Sequence, residues 1–214
     1  MRVIQVLDAL DFGDGVSNDV IHLHEMLDEL GVDNAIYSKW WNEKVQRYTN
    51  DIEQCRPRKE DLVIYHFSGK SHIDEMVTSF PCKVIIRYHN VTPPAFFKGS
   101  NPEGYKNCME GLEQIAALIR RFPDAWGDSQ FNCNDLIAYG AKPERMRVLP
   151  IFMNLERLAA APIDEQLNDS LRQEGDYILF VGRVAPNKCF EDLLEIFECY
   201  HRFHNREIKL ILVG

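Results

Sequence analysis

Two basic side chains follow an apolar run near the end of the sequence. In "YILFVGRVAPNKCFEDLLEIF", residues 177–197, Arg183 and Lys188 lie five residues apart, between a predicted buried strand and an amphipathic helical pattern. Gly182 lets the chain leave the strand, and Pro186 stiffens the loop. A guanidinium, an ammonium and the free N–H groups of a helix N-terminus together suit a diphosphate. The alternative is that both cations are solvated surface side chains.

A loop that contains two glycines, "DFGDGVSNDV", follows the first apolar run and precedes the first helical pattern. Gly13 and Gly15 allow positive φ angles and a close approach of the backbone to a ligand. The helix N-terminus behind them favours an anion. We therefore predict a site for a phosphate or a sugar hydroxyl. The alternative is a tight turn between strand and helix, with Ser17 as the helix cap.

The same region disfavours a dinucleotide cofactor. Asn18 stands where the G-x-G-x-x-G fingerprint needs its third glycine. The second predicted strand ends in "IYSKWW", which offers no acidic residue for a ribose. Trp40 and Trp41 in this stretch are interpreted as packing residues, with stacking on a sugar as the alternative.

A histidine follows another apolar run directly. His89, in "IIRYHNVTPPAFF", is placed at the carboxyl end of a strand, where open α/β sheets bind ligands. Such a histidine can donate a hydrogen bond to a substrate oxygen or take part in proton transfer. The alternative is a purely structural histidine.

No strong metal-binding pattern is present in the sequence. The six cysteines are scattered without a C-x-x-C pair, which favours reduced thiols over disulfides or a zinc site. His201 and His204 have the i, i+3 spacing of a ligand pair but no carboxylate or cysteine set around them. We therefore predict no metal.

The strands that must position these residues are short, continuous apolar runs rich in β-branched side chains. They are "RVIQVL" (2–7), "LVIYHF" (62–67), "KVIIRY" (83–88), "RVLPI" (147–151), "YILFVG" (177–182) and "IKLILVG" (208–214). Continuous apolar strands indicate a parallel sheet that is covered on both faces.

Helical patterns separate these strands. In "SNDVIHLHEMLDELG" the apolar stripe is Val20, Leu23, Leu27 and Leu30, and Gly31 takes the place of a C-cap glycine. Strands that alternate with helices predict an α/β fold with a Rossmann-like, doubly wound parallel sheet.

A polar stretch divides the chain. We predict a complete α/β domain over residues 1–155, a linker with some helix over 156–176, and a single β-α-β unit over 177–214. A unit of that size buries little apolar surface, and its two strands would have unpaired edges. Self-association through residues 177–214 is therefore expected.

Composition and charge exclude several function classes. The 214 residues are 45% hydrophobic and 27% charged, as in ordinary globular domains. The net charge of −9 argues against non-specific nucleic-acid binding, which needs a basic surface. No apolar run approaches the roughly 18–20 residues of a membrane span. Asp8 and Asp11 interrupt the first apolar stretch, which indicates a strand rather than a signal peptide. We predict a cytoplasmic protein.

The motifs together resemble glycosyltransferase family 4, whose members share the two-domain GT-B fold. "VGRVAPNKCFEDLLEIF" is similar to the start of that family's C-terminal domain, and Gly182, Arg183 and Lys188 match its strand, G-R, short loop and K-G pattern. Cys189 replaces the usual glycine. "GDGVSNDV", "RYHNVTP" and "GDSQFNCNDLIAYGAKPERMRVLPI" resemble N-terminal segments of the family.

The resemblance implies retaining transfer of a hexose from a nucleoside diphosphate sugar to a glycan or lipid-linked acceptor, in polysaccharide biosynthesis and without a divalent metal or other cofactor. It implies that Arg183 and Lys188 neutralise the leaving diphosphate, that His89 contacts the transferred sugar, and that Gly15 lies near donor phosphate and acceptor. A lipid-linked acceptor implies work beside a membrane, as a peripheral protein at its inner face.

Family members usually continue well beyond the point where this sequence stops, and their later segment carries an E-x7-E pair. We therefore expect a truncated, inactive chain: an N-terminal acceptor-side domain and the first unit of a donor domain. Two other classes remain open at this point. One is a non-catalytic module that binds a nucleotide or sugar, and the other is an NAD-dependent oxidoreductase.

Overall fold

The chain folds into two units. The computed structural model describes residues 1–153, 155–173 and 175–214, and Arg157 by its backbone alone. The first unit comprises Met1–Pro94 and Asn101–Asn154, and the second comprises Ala95–Ser100 and Leu155–Gly214.

A parallel sheet forms the centre of the first unit. Its strands are β1 (Val3–Leu10), β2 (Asn34–Trp41), β3 (Thr49–Asp51), β4 (Leu62–Phe67), β5 (Lys83–Tyr88), β6 (Ala125–Gly127) and β7 (Met146–Val148). They pair in the order β3-β2-β1-β4-β5-β6-β7, with each neighbouring pair parallel. This arrangement confirms the predicted Rossmann-like, doubly wound sheet. The direction of winding reverses between β1 and β4, and ligands of open α/β sheets bind outside the carboxyl ends at such a point.

Both faces of the sheet are covered, which explains why its strands are continuously apolar. The helices of this unit are α1 (Gly15–Glu29), α2 (Asp74–Thr78), α3 (Pro102–Arg121) and α4 (Gln130–Ala138). One core cluster joins strand residues such as Ile4 and Ile86 to Ile115 of α3. On the other face, Leu7 packs with Val20 of α1.

Helix α1 begins and ends with specific caps. Asp14 accepts hydrogen bonds from the backbone N–H groups of Val16 at 2.9 Å and Ser17 at 3.0 Å, so Asp14 is the N-cap. The alternative assignment of Ser17 as the cap is wrong, because its hydroxyl instead donates to Asp14 at 2.5 Å. Gly31 has φ +69° after the last turn, as its position in the sequence predicted. Leu30 is 74% exposed, so the predicted apolar stripe ends before it.

The second unit contains a single β-α-β arrangement. Its elements are α5 (Leu155–Ala159), α6 (Glu165–Gln173), β8 (Tyr177–Val181), α7 (Phe190–Phe203) and β9 (Lys209–Val213). Strands β8 and β9 pair in parallel. Val181 at the end of β8 is 68% exposed. The predicted linker contains Glu174, and the predicted first domain contains Asn154; both residues lie outside the described part of the chain.

Among the described helices, none combines the length and the apolar character that crossing a membrane would require.

Candidate functional site

Polar and aromatic side chains converge at the carboxyl edge of the sheet, around the point where its winding reverses. Asp8 comes from β1, Trp40 from β2, His66 from β4 and Arg87 from β5. His89, the histidine singled out from the sequence, follows β5 directly and lies at the same edge. The predicted location of this residue therefore agrees with the place where this sheet topology binds ligands.

A fully buried ion pair anchors this edge. Arg87 donates from Nε to Asp19 Oδ2 at 3.1 Å and from Nη2 to Asp19 Oδ1 at 3.2 Å, and both side chains are 0% exposed. The remaining guanidinium donors reach the backbone carbonyls of Leu149 and Pro150. Phe152 N–H donates to Asp19 Oδ1 at 2.7 Å. The pair thus ties α1 and β5 to the segment that follows β7.

A second carboxylate links this ion pair to His89. Asp128 Oδ2 lies 3.1 Å from His89 Nδ1, and Asp128 Oδ1 lies 3.2 Å from Arg87 Nη2. The Oδ1 atom is buried and makes no aligned hydrogen bond, so Arg87 compensates it by charge alone. The His89 side chain is only 1% exposed.

His66 connects His89 to the interior of the sheet. Gln5 Nε2 donates to the Val20 carbonyl at 3.1 Å, which turns Gln5 Oε1 toward His66 Nε2 at 3.0 Å. On the other side of the ring, His66 Nδ1 lies 2.9 Å from His89 Nε2. Both ring nitrogens of His66 and both of His89 therefore have protein partners.

Burial lowers the pKa of His66 well below its usual value of 6.5, and the nearby charges of His89 and Arg87 lower it further. A neutral His66 has one N–H and one lone pair. Because Gln5 Oε1 can only accept, the hydrogen-bond partners assign the proton to His66 Nε2 and the lone pair to Nδ1.

The spacing of three of these groups would also suit a metal ion. Asp19, His66 and His89 offer ligand atoms that all lie within 4.8 Å of one another. The same atoms, however, already bond to protein groups: Asp19 to Arg87, and the two histidines to each other.

The loop that carries Gly13 and Gly15 is open to solvent. Gly13 has φ +84°, which favours glycine, and a Cβ atom at either glycine would meet nothing within 4 Å. The Asp14 carboxylate already occupies the N–H groups of Val16 and Ser17. The loop therefore has room for a ligand, and an anion bound there would lie beside a carboxylate.

An exposed aromatic side chain lies at the carboxyl end of β2. The Trp40 side chain is 47% exposed and meets the His72 ring edge-on, with 4.9 Å between ring centroids. His72 N–H donates to Asp8 Oδ1 at 2.6 Å, and His72 Nδ1 lies 3.2 Å from the same oxygen. Trp40 on β2 and Asp8 on β1 thus both contact His72, in the loop after β4, so an aromatic ring and a carboxylate share one neighbour at the carboxyl edge.

In the second unit, the two predicted cations lie on an exposed loop. Arg183 follows β8, and Lys188 ends a short 3-10 turn, Pro186–Lys188, that leads into α7. Cys189, at the position where the resembled family has glycine, has φ +51°. A non-glycine residue rarely adopts that conformation.

A polar cavity of about 320 Å³ lies at the opposite, amino edge of the sheet. Arg2, Arg58 and Asp61 are among its lining residues. Asp61 accepts from the backbone N–H groups of Arg2 and Arg58, both at 2.9 Å. Arg2 Nη2 also lies 3.8 Å from Asp61 Oδ2. Because this cavity lies away from the carboxyl edge, where open α/β sheets bind ligands, it is not the candidate site.

Comparison with known proteins finds similarity in structure. No protein-family model matches the sequence, and no curated protein matches it. HepE from Anabaena, solved in complex with UDP-glucose, matches 100% of this chain and 69% of its own, at 10% identity and a TM-score of 0.61. WaaG, a glycosyltransferase involved in lipopolysaccharide biosynthesis, matches 99% of this chain and 63% of its own, at 11% identity and a TM-score of 0.61. A glycosyltransferase from Rickettsia africae matches 100% of this chain and 68% of its own, at 13% identity and a TM-score of 0.55.

The fold is that of GT-B glycosyltransferases. At identities of 10–13% the likeness establishes the fold alone. The chain spans 63–69% of the length of these structures.

Proposed function

We propose that this protein is a retaining glycosyltransferase that takes a hexose from a nucleoside diphosphate sugar and adds it to a glycan or lipid-linked acceptor in polysaccharide biosynthesis. One observation carries the proposal: the likeness to HepE, a structure solved with UDP-glucose, extends over 100% of the chain. The carboxyl-edge cluster supports it, because it lies where this sheet topology binds ligands.

The donor diphosphate is proposed to bind at Arg183 and Lys188. Both side chains are exposed on the loop before α7, so neither is committed to the core. The leaving diphosphate carries the largest charge in the reaction, and fixed cations stabilise it without a divalent metal. The loop at Gly13 and Gly15 is proposed to approach the reacting groups, since it is open and its backbone is accessible.

His89 is proposed to donate a hydrogen bond to the transferred sugar. Its ring is buried, and its Nε2 atom faces His66 at 2.9 Å. Contact with a sugar therefore requires this bond to be exchanged for one to a sugar oxygen.

The acceptor is proposed to bind at Trp40, His72 and Asp8. Aromatic faces stack on sugar rings, and a carboxylate accepts hydrogen bonds from their hydroxyl groups. A lipid-linked acceptor would place the protein at the inner face of a membrane as a peripheral, cytoplasmic enzyme. In a catalytically active form of the protein, replacing Trp40 with alanine should raise KM for the acceptor and leave KM for the donor unchanged.

The 214-residue chain is proposed to bind donor without transferring sugar. About a third of each structure that it resembles has no counterpart in this chain, and transfer is proposed to need the corresponding residues. Sugar transfer by purified residues 1–214 at the rate of an ordinary enzyme would contradict this part of the proposal.

Equilibrium dialysis with radiolabelled UDP-glucose tests donor binding directly. We expect saturable binding that UDP displaces and NADH does not. Because charge-assisted contacts contribute about 1.5–3 kcal/mol each, Arg183→Ala with Lys188→Ala should weaken binding by at least about tenfold. Arg206→Ala, an exposed arginine in the same unit, is the matched control. Preferential binding of NADH would instead support an oxidoreductase.

A further inference from the structure

The hydrogen bonds around the two stacked histidines account for every ring nitrogen contact except the one between His66 Nδ1 and His89 Nε2. His66 donates from Nε2 to Gln5, which leaves a lone pair on Nδ1. The carboxylate of Asp128 can only accept, so the contact at 3.1 Å requires a proton on His89 Nδ1. A neutral His89 would then turn the Nε2 lone pair toward the lone pair of His66, at 2.9 Å. Two lone pairs at that distance repel each other, so a cation must lie between them.

The charges of the cluster give the same result. Asp19 and Asp128 are two carboxylates, and Arg87 is one guanidinium. With both histidines neutral, this buried group would carry one uncompensated negative charge, which is costly away from water. One additional proton makes the cluster neutral.

We propose that His89 is held as an imidazolium, with a proton on each ring nitrogen. His66 is its positioning residue, because His66 Nδ1 accepts the hydrogen bond from His89 Nε2–H. The 2.9 Å separation fits an N–H···N hydrogen bond. Zinc bound to two imidazole nitrogens at about 2.0–2.1 Å each would hold them farther apart in a tetrahedral site.

Charged and titratable groups reach His89 from each element packed against it. Asp19 Oδ2 on α1 lies 3.9 Å from His89 Nε2. His66 on β4 accepts from it, and Asp128, in the turn after β6, faces Nδ1. Arg87 on β5 pairs with both aspartates and opposes the imidazolium charge. The two carboxylates stabilise the imidazolium, and the one guanidinium disfavours it.

The protonation state limits what His89 can do in sugar transfer, and this role, unlike the protonation state itself, rests on the proposed function. An imidazolium has no lone pair, so His89 cannot act as a general base toward an acceptor hydroxyl. It can donate Nε2–H to a sugar oxygen and contribute a positive charge. Of the two roles predicted from the sequence, the geometry therefore favours hydrogen-bond donation over proton abstraction.

Nitrogen NMR of the imidazole rings tests the proposal without any ligand. The chain is labelled with ¹⁵N-histidine, and two-dimensional ¹H–¹⁵N spectra of the seven rings are recorded at pH 7.5. Signals are assigned with His66→Gln and His89→Gln variants. We expect two protonated nitrogens on His89, and on His66 a proton on Nε2 alone. An unprotonated nitrogen on His89, or a doubly protonated His66, would overturn the proposal.

Further variants separate positioning from simple packing. His66→Leu fills space but cannot accept a hydrogen bond, so the Nε2–H signal of His89 should be lost to solvent exchange. His66→Gln offers an acceptor oxygen and should retain the signal. Retention of the signal in His66→Leu would contradict the assigned role.

Zinc is the alternative cation for the position between His66 Nδ1 and His89 Nε2, and metal analysis tests for it. The purified chain is dialysed against Zn²⁺ at micromolar concentration, and its metal content is measured. We expect no stoichiometric zinc. One zinc per chain that is lost in His66→Gln would overturn the proton assignment. Because neither measurement uses a nucleotide sugar, failure here leaves donor binding untouched, and failure of donor binding leaves the imidazolium untouched.

Discussion

Replacing Asp19 with asparagine tests how strongly the buried ion pair holds the carboxyl edge together. Asp19 accepts two hydrogen bonds from Arg87, at 3.1 and 3.2 Å, and one from Phe152 N–H, at 2.7 Å. Asparagine keeps the size of the side chain and removes its charge. Arg87 and the His89 imidazolium then share the one remaining carboxylate, that of Asp128. Loss of one partner of a buried pair costs about 3–5 kcal/mol. That is a large part of the roughly 5–15 kcal/mol by which domains are stable.

Urea unfolding followed by far-ultraviolet circular dichroism measures this cost. The set comprises the natural chain, Asp19→Asn, Arg87→Met and the double variant. Each single change should lower the free energy of unfolding by about 3–5 kcal/mol, and the double variant should lose clearly less than the sum. The reason is that the double variant leaves Asp128 and the His89 imidazolium, which still balance each other.

A surface ion pair of similar geometry provides the control. Lys83 Nζ lies 3.1 Å from Asp124 Oδ2, but the Lys83 side chain is 60% exposed. Lys83→Met should therefore cost less than about 1 kcal/mol. The reasoning is refuted if Asp19→Asn costs no more than this control, or if the two buried changes add without coupling. An unchanged slope of free energy against urea would confirm that the unfolded states are comparable.

Three further predictions concern single positions. Cys189→Gly should raise the free energy of unfolding by about 0.5–1 kcal/mol, because φ +51° is strained for cysteine and unstrained for glycine. Cys199→Gly, in the middle of α7, should lower it by a similar amount, and a loss of stability in Cys189→Gly would contradict the argument. In a catalytically active form of the protein, Arg183→Ala should lower kcat/KM about 10²-fold or more. A change below threefold, no larger than that of the control Arg206→Ala, would count against the role of Arg183. The pKa of His66 lies well below 6.5 in the folded chain, so the unfolded chain binds the extra proton and stability falls as pH drops through about 6.5. In urea titrations between pH 5 and 6.5, His66→Gln should reduce the slope of stability against pH, by about 1.4 kcal/mol per pH unit at the acid end and by about half of that near pH 6.5. An unchanged slope would argue that His66 titrates normally.

The sheet could be predicted from sequence because its strands are apolar on both faces. The runs 62–67 and 83–88 coincide with β4 and β5. Short strands such as β3, over Thr49–Asp51, carry too few apolar side chains for such a pattern and were not predicted. The second unit followed from the same kind of apolar run, and its β-α-β arrangement is confirmed.

The candidate site was predicted only in part. His89 stood out because it follows a strand, whereas His66 and Arg87 were counted within apolar runs. A usable signal was present: each is a polar residue near the end of its strand, and the two are register partners in neighbouring strands. Asp19 is four residues before Leu23 on the buried side of α1, and Gln5 interrupts an otherwise apolar strand. Which of these groups pair with one another depends on tertiary packing, which the sequence does not specify.

The N-cap of α1 is one local feature that the sequence alone did not determine. Asp14 and Ser17 are both good N-cap residues, and composition alone does not choose between them. The choice follows from a chain of contacts in which Asp11 N–H donates to the Ser17 hydroxyl at 2.7 Å and that hydroxyl donates to Asp14.

A titration of the ¹⁵N-labelled chain with UDP-glucose, followed through backbone amide shifts, tests the central claim most directly. The proposed function predicts saturable shifts at the loop around Gly13 and Gly15 and in residues 182–189, with loss of the latter in Arg183→Ala. NADH at the same concentrations should leave both regions unchanged. Absence of any saturable shift, or shifts confined to the polar cavity around Arg2 and Asp61, would contradict a nucleotide-sugar donor site.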